Sequence, residues 1–148
     1  MRYLGIDHGN ARIGIAISDP SLTLARPLRV VKHVSRLEDA KTISLIAAEE
    51  ACSALIVGLP LDADGSIGPR ARSVNRFIEE LRNQTDCEVI SWDESNSTKL
   101  ATELSIRRGE SKKQRQTAMD DQAAAIILQD YLDNHQLSNE KEKREENE

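Results

Sequence analysis

Short apolar runs near the amino terminus predict three β-strands. Residues 2–7 and 12–18 are largely apolar, and a glycine-containing turn at 8–11 separates them. Apolar residues recur over 28–32, which predicts a third and shorter strand. Because the first connection is short enough for a hairpin, we expect these strands to form an antiparallel meander.

The pattern changes from strand to helix after residue 34. Ser35 and Glu38 have the spacing of a capping box, so a helix should begin there and continue to about Glu50. The continuous apolar run 54–57 predicts a buried parallel strand, and a loop rich in turn-forming residues follows it. The same alternation continues with a helix from about Pro69 to Gln84, a strand over 88–92, a helix over 97–108 and a last helix over about 119–134.

This order of elements predicts an α/β fold. Three antiparallel strands followed by helix–strand alternation favour a mixed five-stranded sheet with helices on both faces. Residues 1–136 are enough for a single domain with its own core. The segment 137–148 is highly charged and poor in apolar residues, so we expect it to be a disordered tail.

The composition narrows the class of protein. No run of about 18 apolar residues is present, so we expect no membrane span. The amino terminus has no basic and then apolar leader, which favours a cytoplasmic location. Cys52 and Cys87 are far apart and are expected to stay reduced. His8, His33 and His135 are scattered and lack the spacing of a zinc site.

The distribution of charge is more informative than the net charge of −5, which alone argues against a nucleic-acid partner. A local basic patch can still bind phosphates on an acidic protein. Aromatic residues make up only 3% of the chain, so any nucleic acid should be recognised by its backbone and shape rather than by base stacking. The patch consists of Arg107, Arg108, Lys112 and Lys113, with Arg115 nearby.

Three acidic residues fall where the predicted topology could bring them together. Asp7 ends the first strand, Glu94 follows the last strand, and Asp120 begins the final helix on the face that carries Ala124 and Ile127. Converging carboxylates repel one another unless a cation binds, and oxygen ligands favour Mg²⁺ or Mn²⁺. Two such ions about 4 Å apart can activate water for phosphodiester hydrolysis.

Each acid taken alone has a simpler interpretation. Asp7 could be a turn residue, Glu94 could lie on the surface, and Asp120 could be a charge favoured by the helix dipole. The metal-site hypothesis therefore depends on the three residues occurring together. Asp19 precedes Pro20 and is expected to begin a turn instead.

Three motifs occur in a fixed order along residues 1–133. The first runs from Gly5-Ile6-Asp7 to Ser18-Asp19, the second joins Val57-Gly58-Leu59-Pro60 to Asp64-Gly65-Ser66 and Gly68-Pro69-Arg70-Ala71, and the third is Asp120 with its apolar helix. Together they resemble the YqgF family of bacteria, also described as Holliday-junction-resolvase-like and as a pre-16S rRNA nuclease.

The resemblance implies a ribonuclease H-like fold and a role in cutting the 5′ end of precursor 16S rRNA during ribosome biogenesis. It also places Asp7, Glu94 and Asp120 on the family's acidic site positions, as catalytic residues and metal ligands. One departure affects the substrate contacts: the family has an arginine after the Asp-Glu pair, whereas this chain has Ser95. A serine cannot hold a phosphate in a bidentate manner.

Other basic residues are then the candidates for binding substrate phosphates. Arg70 and Arg72 lie in a glycine-containing loop that the topology places beside the expected site, and the basic patch around Arg107 could act as a clamp. Either segment could instead be an ordinary solvated loop.

The leading hypothesis is a metal-dependent nuclease, monomeric or weakly dimeric, that acts on precursor 16S rRNA. Two alternatives are a resolvase of branched DNA and a non-catalytic RNA-binding factor for ribosome maturation. A third is an ATP-binding domain of the sugar-kinase or actin type, because Asp7-His8-Gly9 resembles that phosphate loop. The length of the chain disfavours this third alternative, since those folds enclose the nucleotide between two such domains.

Overall fold

A computed structural model of the protein describes residues 1–93 and 122–135. Its helices are α1 (Arg36–Glu49), α2 (Pro69–Gln84) and the helical residues 122–135, which we name α3. Its strands are β1 (Arg2–His8), β2 (Arg12–Ser18), β3 (Ala25–Lys32), β4 (Cys52–Leu59) and β5 (Glu88–Asp93).

The strands form one sheet in the order β3-β2-β1-β4-β5. β1, β2 and β3 pair in antiparallel fashion, which confirms the predicted meander. β4 and β5 extend the sheet on the other side of β1 and run parallel to it. The carboxyl ends of β1, β4 and β5 therefore lie along the same edge of the sheet.

Most predicted elements are confirmed, with one clear difference in a boundary. α2 has the predicted bounds, and the Ser35 hydroxyl caps α1 by accepting a hydrogen bond of 3.1 Å from the Glu38 amide. β3 begins at Ala25, three residues before its predicted start at 28, because it is an edge strand with several exposed positions and Pro27. The predicted helix over 97–108 and the predicted tail over 137–148 lie outside the described residues.

Each face of the sheet has its own hydrophobic core. On one face, Leu4 and Ile6 of β1 pack with Phe77 and other residues of α1 and α2. On the other face, Ile56 of β4 packs with Ile127 and its neighbours on α3. Helices therefore cover both faces, as predicted.

α3 approaches the sheet most closely at Gly5. A Cβ atom built on Gly5 would lie 2.7 Å from the carbonyl oxygen of Ala124 and 2.7 Å from the Cβ of Leu128. Glycine is needed at this position because any side chain would separate the helix from β1. Polar contacts hold the same helix from two sides.

The first contact joins α3 to the first residue of β3 and to the segment before it. The Gln129 side chain accepts a 2.8 Å hydrogen bond from the Ala25 amide and donates one of 2.9 Å to the Thr23 carbonyl. The second joins α3 to β5, where the Trp92 indole donates a 2.8 Å hydrogen bond to the Asp130 carboxylate. These bonds define the position of α3 along the sheet.

The structure also bears on the expectations about the cysteines and the membrane span. Cys52 and Cys87 are both free thiols, and burial raises the pKa of Cys52 to about 11, so its reactive thiolate form is disfavoured. None of the helices in residues 1–93 and 122–135 combines the length and the apolar character needed to cross a bilayer.

We expect Gly5→Ala to destabilise the fold by about 1–3 kcal/mol, because the added methyl group must push α3 away from β1. Trp92 is the only tryptophan of the chain and contacts α3, so its fluorescence reports the displacement directly. Denaturant unfolding followed through this fluorescence gives the free energy of unfolding.

Gly65→Ala is the control for this substitution. Gly65 has a φ of 83°, and no atom of the described residues lies within 4 Å of a built Cβ, so alanine there strains the local backbone. The native fluorescence of Trp92 should change in Gly5→Ala and not in Gly65→Ala. An unchanged native spectrum in Gly5→Ala would contradict the close-packing explanation.

Candidate active site

Asp7 lies at the carboxyl end of β1 on the face that α3 covers. It is half-buried and shares its side of the strand with Gly5. Its cross-strand partner on β2 is Gly14. On β4, Val57 pairs with Ile6, so the next residue, Gly58, lies beside Asp7. Neither neighbour has a side chain to cover the carboxylate, so a cation or a phosphate can approach between the strands.

The other two predicted acids are outside the part of the chain that the structure describes. β5 ends at Asp93, one residue before Glu94, and the described part of α3 starts at 122, two residues after Asp120. Their convergence with Asp7 stays a prediction. The same holds for the predicted basic contacts Arg107, Arg108, Lys112 and Lys113, which also fall in the undescribed segment.

The two described arginines of the predicted substrate loop have different environments. Arg72 donates a hydrogen bond of 3.3 Å from Nη1 to the Ile67 carbonyl, so it is bound to its own loop. Arg70 is exposed and lines a cleft with His8 and Asn10. This cleft is on the α1–α2 side of the sheet, whereas Asp7 is on the α3 side.

The loop that leads to Arg70 is held by its own hydrogen bonds. The Gly65 amide donates to the Asp62 carbonyl at 2.8 Å, and the Asp62 amide donates to the Ser66 carbonyl at 3.0 Å. The Ser66 hydroxyl and amide donate to the Asp64 carboxylate, and these bonds lower the pKa of that group. The start of α2 is therefore presented by an ordered loop.

Asp19 is confirmed as a turn residue. Its carboxylate accepts hydrogen bonds from the Thr23 amide at 2.8 Å, from the Leu24 amide at 3.2 Å and from the Ser21 hydroxyl at 3.0 Å. These bonds lower its pKa and leave the carboxylate engaged in the connection between β2 and β3. Asp19 has no part in the site around Asp7.

The structure corrects the expectation that the histidines are scattered. His8, His33 and Asp39 bring one ligand atom each within 4.8 Å of one another. The antiparallel meander is the cause: β3 returns along β2, and the His33 amide donates a 3.0 Å hydrogen bond to the Ala11 carbonyl beside the end of β1. The distance between His8 and His33 along the sequence gives no sign that they are close. The antiparallel pairing of β2 with β3 is the signal that could have indicated it.

The members of this cluster differ in how far their hydrogen bonding is satisfied. Asp39 is only 1% exposed, and its carboxylate contacts His33 Nδ1 and accepts a hydrogen bond of 3.0 Å from the Val34 amide. His8 packs on Phe77, and its Nε2 is buried without a hydrogen-bond partner among residues 1–93 and 122–135. Burial lowers the pKa of His8, so its neutral form is favoured.

Comparison with known proteins identifies the family. The family model RuvX, described as Holliday junction resolvase, matches residues 1–134. A protein of Anaeromyxobacter sp. (strain Fw109-5) is 44% identical over 133 residues, which cover 90% of this chain and 97% of the relative. A protein of Roseiflexus sp. (strain RS-1) is 40% identical over 132 residues, or 89% of this chain and 94% of the relative. Both are named "Putative pre-16S rRNA nuclease".

Solved structures agree on the fold at low sequence identity. The RuvC protein of T. thermophilus in complex with a Holliday junction substrate has a TM-score of 0.54 at 19% identity, covering 86% of this chain and 91% of that one. The fowlpox virus Holliday junction resolvase has a TM-score of 0.54 at 15% identity, covering 90% and 99%. These likenesses confirm the predicted ribonuclease H-like sheet.

The family match spans nearly the whole chain and confirms the resemblance carried by the three motifs. It also favours the nuclease hypothesis over the ATP-binding alternative. The chain belongs to the RuvX (YqgF) family of ribonuclease H-like nucleases.

Proposed function

We propose that this protein is a divalent-metal-dependent nuclease that processes the 5′ end of precursor 16S rRNA in the cytoplasm. The observation that carries the proposal is Asp7, a carboxylate at the carboxyl edge of the central strand with glycines on both neighbouring strands. The names of the 44% and 40% identical relatives support precursor 16S rRNA as the substrate.

The packing of α3 supports Asp120 as a second acid of the site. Tyr131 lies against Tyr3, with ring centroids 6.2 Å apart, while Ala124 lies against Gly5, so α3 runs antiparallel to β1. Asp7 is about 7 Å beyond Gly5 along the strand. Position 120 precedes Ala124 by about one helical turn, or about 6 Å along the helix axis. An extension of α3 by that turn would bring position 120 to the same level as Asp7.

The alternation of side chains in β5 supports Glu94 as the third acid. Ile90 and Trp92 face the α3 side. If the alternation of β5 continues by one more step, a side chain at position 94 would point to the same side. Only β4 separates β5 from β1, and Gly58 is the β4 residue at the level of Asp7. Gly58 pairs with Trp92, so a carboxylate at position 94 would begin about 7 Å farther along the edge of the sheet than Asp7. A glutamate side chain there could reach back toward Asp7 over Gly58, which has no side chain.

Three carboxylates fit a hard divalent cation better than any neutral partner. Asp7, Glu94 and Asp120 would hold Mg²⁺ or Mn²⁺ through oxygen atoms. When bound, such an ion supplies Lewis-acid activation of water and stabilises the charge that develops on the leaving oxygen. In this proposal the residues contribute carboxylate oxygen ligands, and Asp7 does so from the carboxyl end of the central strand.

The substrate contacts rest on arginines other than the missing family arginine at position 95. Arg70 stands at the start of α2 on an ordered loop at this edge and is exposed to solvent. It could bind a phosphate of a strand that crosses the edge of the sheet. We also propose the basic patch around Arg107 as a second contact, which would compensate for Ser95.

We expect Asp7→Asn to reduce cleavage of a precursor 16S rRNA 5′ segment by more than about 100-fold, because the amide cannot replace an anionic ligand. The measurement is the single-turnover rate in Mg²⁺ and in Mn²⁺. Asp19→Asn is the matched control, since this carboxylate lies in the same strand meander and only holds a turn. Undiminished cleavage by folded Asp7→Asn would exclude the proposed site.

A second candidate is cleavage of branched DNA, which the description of the matched family favours. Equal concentrations of the precursor RNA and of a four-way DNA junction separate the two functions in one assay. We expect the RNA to be cut faster. Preferential cutting of the junction would establish the resolvase function instead, and binding of RNA without cleavage in either metal would establish the non-catalytic alternative.

We expect Arg70→Ala to weaken RNA binding uniformly and to lower the slope of log affinity against log salt by about 1, as loss of one phosphate contact requires. Binding is measured in the Asp7→Asn background, so that the RNA stays intact. Arg76→Ala is the control, because Arg76 is also exposed on α2 but farther from its first turn. Equal salt slopes in both variants would remove Arg70 from the substrate surface.

A further inference from the structure

We propose that His8, His33 and Asp39 form a binding site for a divalent transition-metal ion of the Zn²⁺ class. This site is distinct from the carboxylate site of the proposed nuclease reaction. It lies on the opposite face of the sheet, and it uses imidazole nitrogen atoms rather than carboxylates alone.

The donor atoms are already close together. One ligand atom from each residue lies within 4.8 Å of the other two, and this is the one such group of three or more His, Cys, Asp or Glu side chains among residues 1–93 and 122–135. Tetrahedral ligands of Zn²⁺ are separated by roughly 3.3 Å when the bond lengths are about 2.0–2.1 Å. Small rotations of the two imidazole side chains would bring His8 nearer to the other two ligands and lengthen the short His33–Asp39 contact.

A simple hydrogen-bonded pair explains only part of this cluster. The His33–Asp39 contact satisfies the buried carboxylate, together with the Val34 amide. It leaves His8 Nε2 buried and without a partner in the part of the chain that the structure describes, which is costly for a polar atom. A metal ion between the three side chains would satisfy that nitrogen.

The ion would take the place of the hydrogen bond between His33 and Asp39. A neutral His33 would carry its single ring proton on Nε2 and coordinate through the deprotonated Nδ1, while Asp39 would coordinate through Oδ2 and keep the bond from the Val34 amide through Oδ1. His8 would coordinate through Nε2. Two neutral imidazoles and one carboxylate are a ligand set that suits Zn²⁺ and other late transition metals, whereas Mg²⁺ prefers oxygen ligands.

The position of the cluster leaves room for an exchangeable fourth ligand. His8 and His33 line a cleft of about 240 Å³, which also includes the side chains of Ser73 and Asn10. A water molecule needs about 30 Å³, so the cleft can supply solvent as the fourth ligand. Three protein ligands with an open fourth position are the arrangement of a zinc site that exchanges ligands rather than of a closed structural site.

Strand geometry separates this site from Asp7. His8 packs against Phe77 on the α1–α2 side. Asp7 points to the same face of β1 as Gly5, which is the α3 side. The two sites can therefore be disrupted independently. This independence also makes the zinc proposal testable whether or not the nuclease proposal is correct.

Isothermal titration of the untagged full-length protein with ZnCl₂, under reducing conditions, tests the proposal. With excess Mg²⁺ present to occupy the proposed carboxylate site, we expect one saturable equivalent of Zn²⁺ and a rise in melting temperature on binding. His8→Gln and His33→Gln should each weaken the binding by at least about tenfold, because each removes one ligand. His135→Gln is the matched control, since His135 is the remaining histidine of the chain and stacks on Tyr131 of α3.

Two further variants locate the binding. Asp7→Asn should retain the Zn²⁺ affinity of the original protein, and Cys87→Ser should do the same, because neither residue belongs to the cluster. Absence of a saturable event in the original protein would overturn the proposal. So would unchanged affinity in His8→Gln, or loss of binding in Asp7→Asn or in Cys87→Ser.

Titration with Co²⁺ provides a measurement that does not depend on the histidine variants remaining folded. Co²⁺ bound by imidazole and carboxylate gives d–d absorption without the thiolate charge-transfer band of cysteine ligation. We expect that spectrum in the original protein and in His135→Gln. A thiolate band, or a spectrum of fully hydrated Co²⁺ at saturation, would contradict the assigned ligands.

Discussion

The alternation of side chains along β1 is the constraint on which both sites depend. Successive residues of a strand point to opposite faces, so Asp7 and His8 cannot serve the same site although they are adjacent. Because β1 is the central strand of the sheet, each face is covered by a different set of helices. One strand end therefore carries a carboxylate toward α3 and an imidazole toward α1 and α2.

Close packing determines where α3 lies relative to Asp7. The absence of a side chain at Gly5 lets the helix contact β1 directly, and the hydrogen bonds of Gln129 and Trp92 define its position along the sheet. A larger residue at position 5 would move the helix as a body, because its backbone meets the strand there. The proposed approach of Asp120 to Asp7 thus depends on a contact made several residues away.

Elements with strong local signals could be predicted from the sequence with little error. Ser35 caps α1 through its own hydroxyl, and α2 occupies Pro69–Gln84 as predicted, because caps and proline act over a few neighbouring residues. The predicted start of β3 was wrong because the exposed side chains of an edge strand weaken its apolar pattern. The histidine cluster was missed because His8 and His33 meet only through the return of β3 along β2.

Motifs and periodicity are properties of neighbouring residues, so the amino-acid sequence was enough to predict the family, the order of β1–β5 with α1 and α2, and Asp7 as a candidate acid. The surroundings of those residues became known only from the folded chain. They are the two glycine positions beside Asp7, the placement of Arg70 in the cleft with His8, and the contact of His33 and Asp39 with His8. These contacts arise from strand register and from the packing of helices on a particular face. Both depend on chain segments that are distant in sequence, so no local pattern records them.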